Sequence, residues 1–206
     1  MDMNQKMGTL ERILISAEKE FLEKGYQGAG LRKIASDADV TTGAFYRHFK
    51  GKKELFSALV DDVYTHIIQM YRDTLIEFFR LAPEDQAVNM SQYTRRAVDA
   101  MTDYIYEHRS KMKLILSCSE GTDYADLADV LASMDETATY DFMDERQSAG
   151  IGINPVQGDL QSLLTKGMFT TFLGLIEKDL PREEMRECSN ALLDFYEAGW
   201  WKIMGL

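Results

Sequence analysis

Apolar residues recur along this chain at spacings of three and four, the period of a helix with one buried face. No stretch alternates apolar and polar residues between hairpin turns, so the fold class read from the pattern is all-α. A first helix is expected over 10–24, capped by Thr9, with Ile13, Leu14, Ala17, Phe21 and Leu22 on its apolar face and Gly25 as its stop. Leu31, Ile34, Ala35 and Ala38 make one face of a short second helix, Asp39-Val40 a tight turn, and Phe45 and Phe49 one face of a short third helix. From Lys52 the period resumes through Leu55, Phe56, Leu59, Val63, Ile67, Met70, Tyr71 and Leu75 to Phe79, a long helix that could kink at Thr65 or Arg72. Ala82-Pro83-Glu84-Asp85 reads as a break. Further helices are expected over 91–108, 111–119, 124–148, 159–178 and 181–204, separated by Glu120-Gly121 and by a glycine-rich loop over 150–155.

Two short helices joined by a tight turn, the second exposing Thr42, Tyr46 and Arg47, form a helix-turn-helix pattern whose second helix is shaped to enter a major groove. Charge strengthens that reading. The chain carries a net charge of -11, yet residues 1–60 hold ten Lys and Arg against eight Asp and Glu, while the remainder holds thirteen against twenty-six. Within 41–53 stand Arg47, Lys50, Lys52 and Lys53 and no acidic residue. At physiological salt a field decays over about 8 Å, so this local basic island, and not the acidic remainder, governs contact with a polyanion.

The run over 28–55 resembles the DNA-binding domain of TetR-type (TetR/AcrR) transcriptional regulators. Arg32, Ile34, Ala35, Gly43, Phe45, Tyr46, His48, Phe49, Lys52, Glu54 and Leu55 stand at that family's spacings. Two positions depart from the pattern: Gly30 stands where a capping Thr or Ser is usual, and Asp39 replaces a turn glycine, a position Asp tolerates because it visits the left-handed region. The resemblance is strong over about the first quarter of the chain and elsewhere extends only to layout. It implies an amino-terminal three-helix helix-turn-helix DNA-binding domain over 1–54 and a helical ligand-binding and dimerisation domain over 55–206. On this reading Thr42, Gly43, Ala44 and Arg47 face base edges, and Tyr46, His48, Lys50, Lys52 and Lys53 face phosphates, with Arg32 and Thr41 completing the DNA-binding set. His48 has a second reading, as a ring packed on the first helix.

The resemblance also implies a homodimer through the two carboxy-terminal helices, a double-stranded, pseudo-palindromic DNA operator, and release by a small-molecule inducer. Candidate pocket residues are Met101, Tyr104, Cys118, Glu120, Phe142, Phe169 and Phe172, and Glu120 points to a cationic or hydrogen-bonding ligand; the same methionines and aromatics also suit plain core. Repression is the family default. An all-α adaptor or small-molecule-binding module without DNA is the alternative.

Other chemistry is poorly represented. His48, His66 and His108 are dispersed, and no hydrolase, phosphate-loop or zinc-protease spacing occurs, so neither an enzyme nor a metal or other cofactor is expected. Cys118 and Cys188 read as two buried reduced thiols. There is no apolar run near 18 residues, and the first residues are polar, which suggests a cytoplasmic protein without leader or membrane span.

Overall fold

The computed structural model describes residues 8–206; the amino-terminal leader reading concerns residues that lie mostly outside that range. Among the described residues there are nine α-helices and no strand, in agreement with the all-α expectation. They fall into two compact units, one running to Thr65 and taking in Ser110–Ala125, the other His66–Arg109 with Asp126–Leu206.

In the first unit α1 spans Thr9–Gly28, α2 Leu31–Asp37 and α3 Thr42–His48. The opening part of α4, Lys52–Phe78, and most of α6, Arg109–Ser117, complete it. Ile13, Ala17, Phe21, Ile34, Phe45, Leu55, Phe56 and Leu114 are buried, and the Phe21, Tyr26 and Phe56 rings meet one another within this core. Leu22, assigned to the buried face, is instead exposed, at the edge of the stripe. Thr9 is the first helical residue rather than the cap; Gly8 occupies the cap position, with no side chain to accept. Gly25 does interrupt α1, at φ 68°. That break diverts the Tyr26 N–H, which donates to the Cys118 carbonyl at 2.7 Å. Ser16 Oγ donates to the Ile34 carbonyl at 2.9 Å, tying α1 to α2.

In the second unit, the latter part of α4 meets α5 (Pro83–Glu107), α7 (Leu127–Ser148), α8 (Gly158–Gly174) and α9 (Arg182–Met204). Phe78 packs on Tyr93 and Phe142, with Val156 and Met204 closing that cluster. Helix α4 runs through Thr65 and Arg72 without interruption. Helix α5 begins at Pro83, eight residues earlier than the pattern suggested. Pro83 is a starter here: the first helical position needs no N–H partner, and Glu84 and Asp85 complement the positive end of the helix dipole. Helix α8 is shorter than expected, its last turn tightening into a 3-10 segment at Leu175–Lys178. Pro181 precedes α9 as its cap residue. Cys118 is buried as expected but Cys188 is exposed, because its neighbour Ser189, with Met185 and Leu193, takes the inward face of α9.

Candidate nucleic-acid interface

Helix α3 owes its start to a side chain. Thr41 Oγ1 accepts from the Ala44 N–H at 3.1 Å, filling one of the donors left open at a helix beginning. Phe45 and Phe49 are buried and so fix the rotation of α3 about its axis. Thr42, Gly43, Tyr46, Arg47 and His48 consequently face outward, with Ala44 half-buried. No atom lies within 4 Å of where a Gly43 Cβ would stand, so this flank is open to a partner's backbone. Tyr46 is 53% exposed, its ring set edge-on to Phe45. His48 is exposed, against the alternative that it packs on the first helix.

The approach to α3 is held by compensating contacts. Asp39 adopts φ 52°, and its carboxylate lies 3.7 Å from Arg12 of α1. Gly30 caps α2 with no side chain, and Glu20 Oε1 accepts from its N–H at 3.1 Å. Arg32 is exposed nearby.

The four basic residues after Tyr46 divide by partner. Arg47 and Lys50 have exposed side chains without an ion pair among the described residues. Lys50 offers its backbone N–H to Glu54 Oε2 at 2.6 Å, a reach-back bond that closes the first turn of α4. Lys52 turns inward: its ammonium donates to the Tyr26 and Gln27 carbonyls, both at 2.9 Å, and lies over the Tyr26 ring. It clasps the end of α1 to the start of α4, a role the sequence reading did not assign. Lys53 Nζ stands 2.7 Å from Asp123, whose hydrogen bond and charge raise the lysine pKa above its ordinary 10.5.

Residues 13–59 match the family model of the bacterial regulatory proteins of the tetR family, a span that contains α2, α3 and their turn. Over that span the chain is similar to the tetR family. The HTH-type transcriptional activator FasR of Mycolicibacterium smegmatis is 35% identical over 100 residues, covering 48% of this chain and 41% of FasR. The Transposon Tn10 TetC protein of Escherichia coli is 50% identical over 50 residues, covering 24% of this chain and 25% of that protein. These matches thus take in less than half of either relative's length. A crystal structure of a transcriptional regulator from Aquifex aeolicus VF5 superposes with a TM-score of 0.58 at 21% identity, over 91% of this chain and 99% of that one, a likeness of fold. Residues outside the tetR-family match therefore rest on their own geometry.

Such geometry is present in the second unit, where a cavity of about 200 Å³ opens among α4, α5, α7, α8 and α9. Met101, Phe142, Phe169 and Phe172 line it, four of the seven pocket candidates; Tyr104, Cys118 and Glu120 do not. Tyr104 instead meets the rings of His66 and His108 at tilted angles, each centroid 4.3 Å away. Cys118 and Glu120 lie in the first unit, where burial raises the Cys118 thiol pKa. The sequence reading names no polar residue of this wall as a pocket candidate, Tyr71 and Asp135 among those it omits. Tyr71 Oη donates to Asp135 Oδ1 at the cavity wall, and burial raises the carboxyl pKa of Asp135 above 3.8 against the pull of the Tyr71 hydroxyl. A signal existed: Leu131, Asp135, Ala138 and Phe142 follow helical spacing, placing one acid on an otherwise apolar stripe.

Proposed function

We propose that this protein is a DNA-binding transcription regulator that grips a pseudo-palindromic operator as a dimer and is released by a small molecule held in the second unit. The observation that carries the reading is α3 itself: a capped helix pinned by Phe45 and Phe49, presenting Thr42, Gly43 and Arg47 in a basic, acid-free stretch. Arg47 suits the O6 and N7 of a guanine, and Thr42, Gly43 and Ala44 lie along the same edge. Tyr46, His48, Lys50, Lys53 and Arg32 would take phosphates, and Lys52 would support them by holding α1 to α4.

Dimerisation through α8 and α9 is supported by apolar side chains left uncovered there, Leu163 and Phe195, each 72% exposed. Gly167 lets α8 approach α9 closely, since a Cβ would stand 3.1 Å from Tyr196 Oη. Regulation follows from linkage: an effector that prefers the conformation poorly matched to the operator lowers DNA affinity by the factor with which DNA lowers its own. Helix α4, with residues in both units, is the continuous element through which that coupling would pass.

The test is gel retardation of the DNA upstream of the protein's own gene at about 50 and about 200 mM salt, beside sedimentation of the free protein. A shifted band that weakens steeply with salt, from a dimer, is the expected result. A folded protein that retards no duplex at low salt would refute the reading.

A further inference from the structure

The second unit's cavity is unusual in its charge. Its ionisable carboxyl groups are Asp135 and Glu197, and no Lys, Arg or His lies on its wall. Of the cations on the surrounding helices, Arg95 pairs with Asp194, and Arg146, which is not on the wall, lies over the Phe142 ring and donates to the Pro83 carbonyl while its Nε has no partner among the described residues. An anionic ligand would bury its charge beside two acids with no cation on the cavity wall, an arrangement low-dielectric surroundings penalise. Asp135 is the other half of the pattern. Tyr71 donates a hydrogen bond to it, yet it has no cationic partner among the described residues.

Ten of the wall residues are aromatic, among them Tyr71, Phe142, Phe169, Tyr196, Trp200 and Trp201. Ring faces are electron-rich and attract a desolvated cation while remaining indifferent or repulsive to an anion. Trp201 adds an indole N–H that is buried without a hydrogen-bond partner among the described residues, an opening for a ligand acceptor. The volume of about 200 Å³ somewhat exceeds the roughly 150 Å³ apolar void that admits a benzene, so a single ring with a short side chain fits.

We propose that this cavity binds a small apolar amine as its ammonium ion, the charge seated at Asp135 beside Tyr71 and the hydrocarbon body against the surrounding rings. This deepens the effector reading above and rests on the cavity being the effector site. It does not depend on how α3 meets DNA.

Three probes of similar shape and different charge separate the possibilities: 2-phenylethylamine, 2-phenylethanol and 3-phenylpropanoate, titrated by calorimetry and by thermal melting of the full chain. A ligand selective for the folded state raises the melting temperature in proportion to its occupancy. The amine is expected to bind about tenfold or more tightly than the alcohol, and the carboxylate not measurably. Equal binding of amine and alcohol, or tighter binding of the carboxylate, overturns the proposal on the unaltered protein alone. Asp135→Asn keeps an acceptor for Tyr71 and removes the charge, so it should erase the preference for the amine; a folded variant that retained it would place the cation elsewhere and also overturn the proposal. Gel retardation with and without the amine is read separately. Amine binding that leaves operator affinity unchanged refutes its effector role while the site stands, and operator binding without amine affinity refutes the site while the DNA reading stands.

Discussion

Lys53 at the start of α4 and Asp123 in the segment after α6 form an ion pair, Nζ to Oδ2 at 2.7 Å, within the first unit. Both side chains are largely exposed, so the pair adds little to folding, but it places an acid beside a residue proposed to meet phosphate. Asp123→Asn should tighten binding to every duplex, specific or random, and steepen the dependence on log salt by up to about one unit. Salt titrations of both proteins on a random duplex check it. Identical slopes would mean that Lys53 does not meet the phosphates.

Gly43 offers a test in which folding and DNA contact separate. A Cβ there meets nothing within 4 Å, and the backbone is already helical, so Gly43→Ala should fold as well as the parent or slightly better. Set against DNA, the same methyl would intrude where close approach is proposed. A melting temperature held or raised, with operator affinity lowered about tenfold or more, is expected. Undiminished operator binding would move the close approach away from this helix flank.

Arg47 and Lys50 are proposed to differ in kind. Arg47→Ala should cost about 1 to 3 kcal/mol on the operator and much less on random DNA, flattening preference at one base position. Lys50→Ala should weaken both alike. A competition assay with operator and scrambled duplexes reads the difference, and parallel losses for Arg47→Ala would remove its base-reading role.

At Gly30 the sequence and the structure together explain what neither shows alone. The sequence reveals the absent capping hydroxyl, and the structure shows φ -110° and room for a Cβ 3.8 Å from its nearest neighbour. Gly30→Ser should therefore stabilise the protein by about 0.5 to 1 kcal/mol, through a new cap and a less flexible unfolded chain. Urea unfolding would show a higher midpoint, and a lower one would mean that the serine disturbs the Glu20 bond to this N–H.

What could be read in advance follows the range of the interactions involved. Phe45 and Phe49, one turn apart, specify the outward face of α3 locally, and the turn at Asp39 follows from one residue's tolerance of positive φ. The clasp of Lys52 on Tyr26 and Gln27 joins residues about 25 positions apart, so no local pattern announces it. Pro83 reads as a breaker from the sequence because proline stops a helix interior, yet proline equally suits a helix start, and only the chain before it decides which. Asp135 was legible as a misfit on an apolar stripe, but a lone misfit does not reveal that four other helices enclose it.

Asp103 of α5 joins two arginines of α9, accepting from Arg182 Nε at 3.1 Å and from Arg186 at 2.5 Å. Burial taken alone would raise its pKa, and the hydrogen bonds and charges of Arg182 and Arg186 outweigh that, leaving it below 3.8. A carboxyl whose pKa is lower folded than unfolded binds fewer protons in the folded state. Its contribution is thus complete above the unfolded value and fades as pH falls through the folded one. Asp103→Asn removes the charge while keeping an acceptor, so near pH 7 the variant should melt about 1 to 3 °C lower, a modest effect because the group is partly solvated. As pH falls from 3.8 through the lowered folded pKa, the parent's own carboxyl takes up its proton and the two melting curves should converge. Calorimetry at steps from about pH 7 to about pH 3 would follow the gap, and one that stayed constant would show that shape rather than charge holds α5 to α9 at this point.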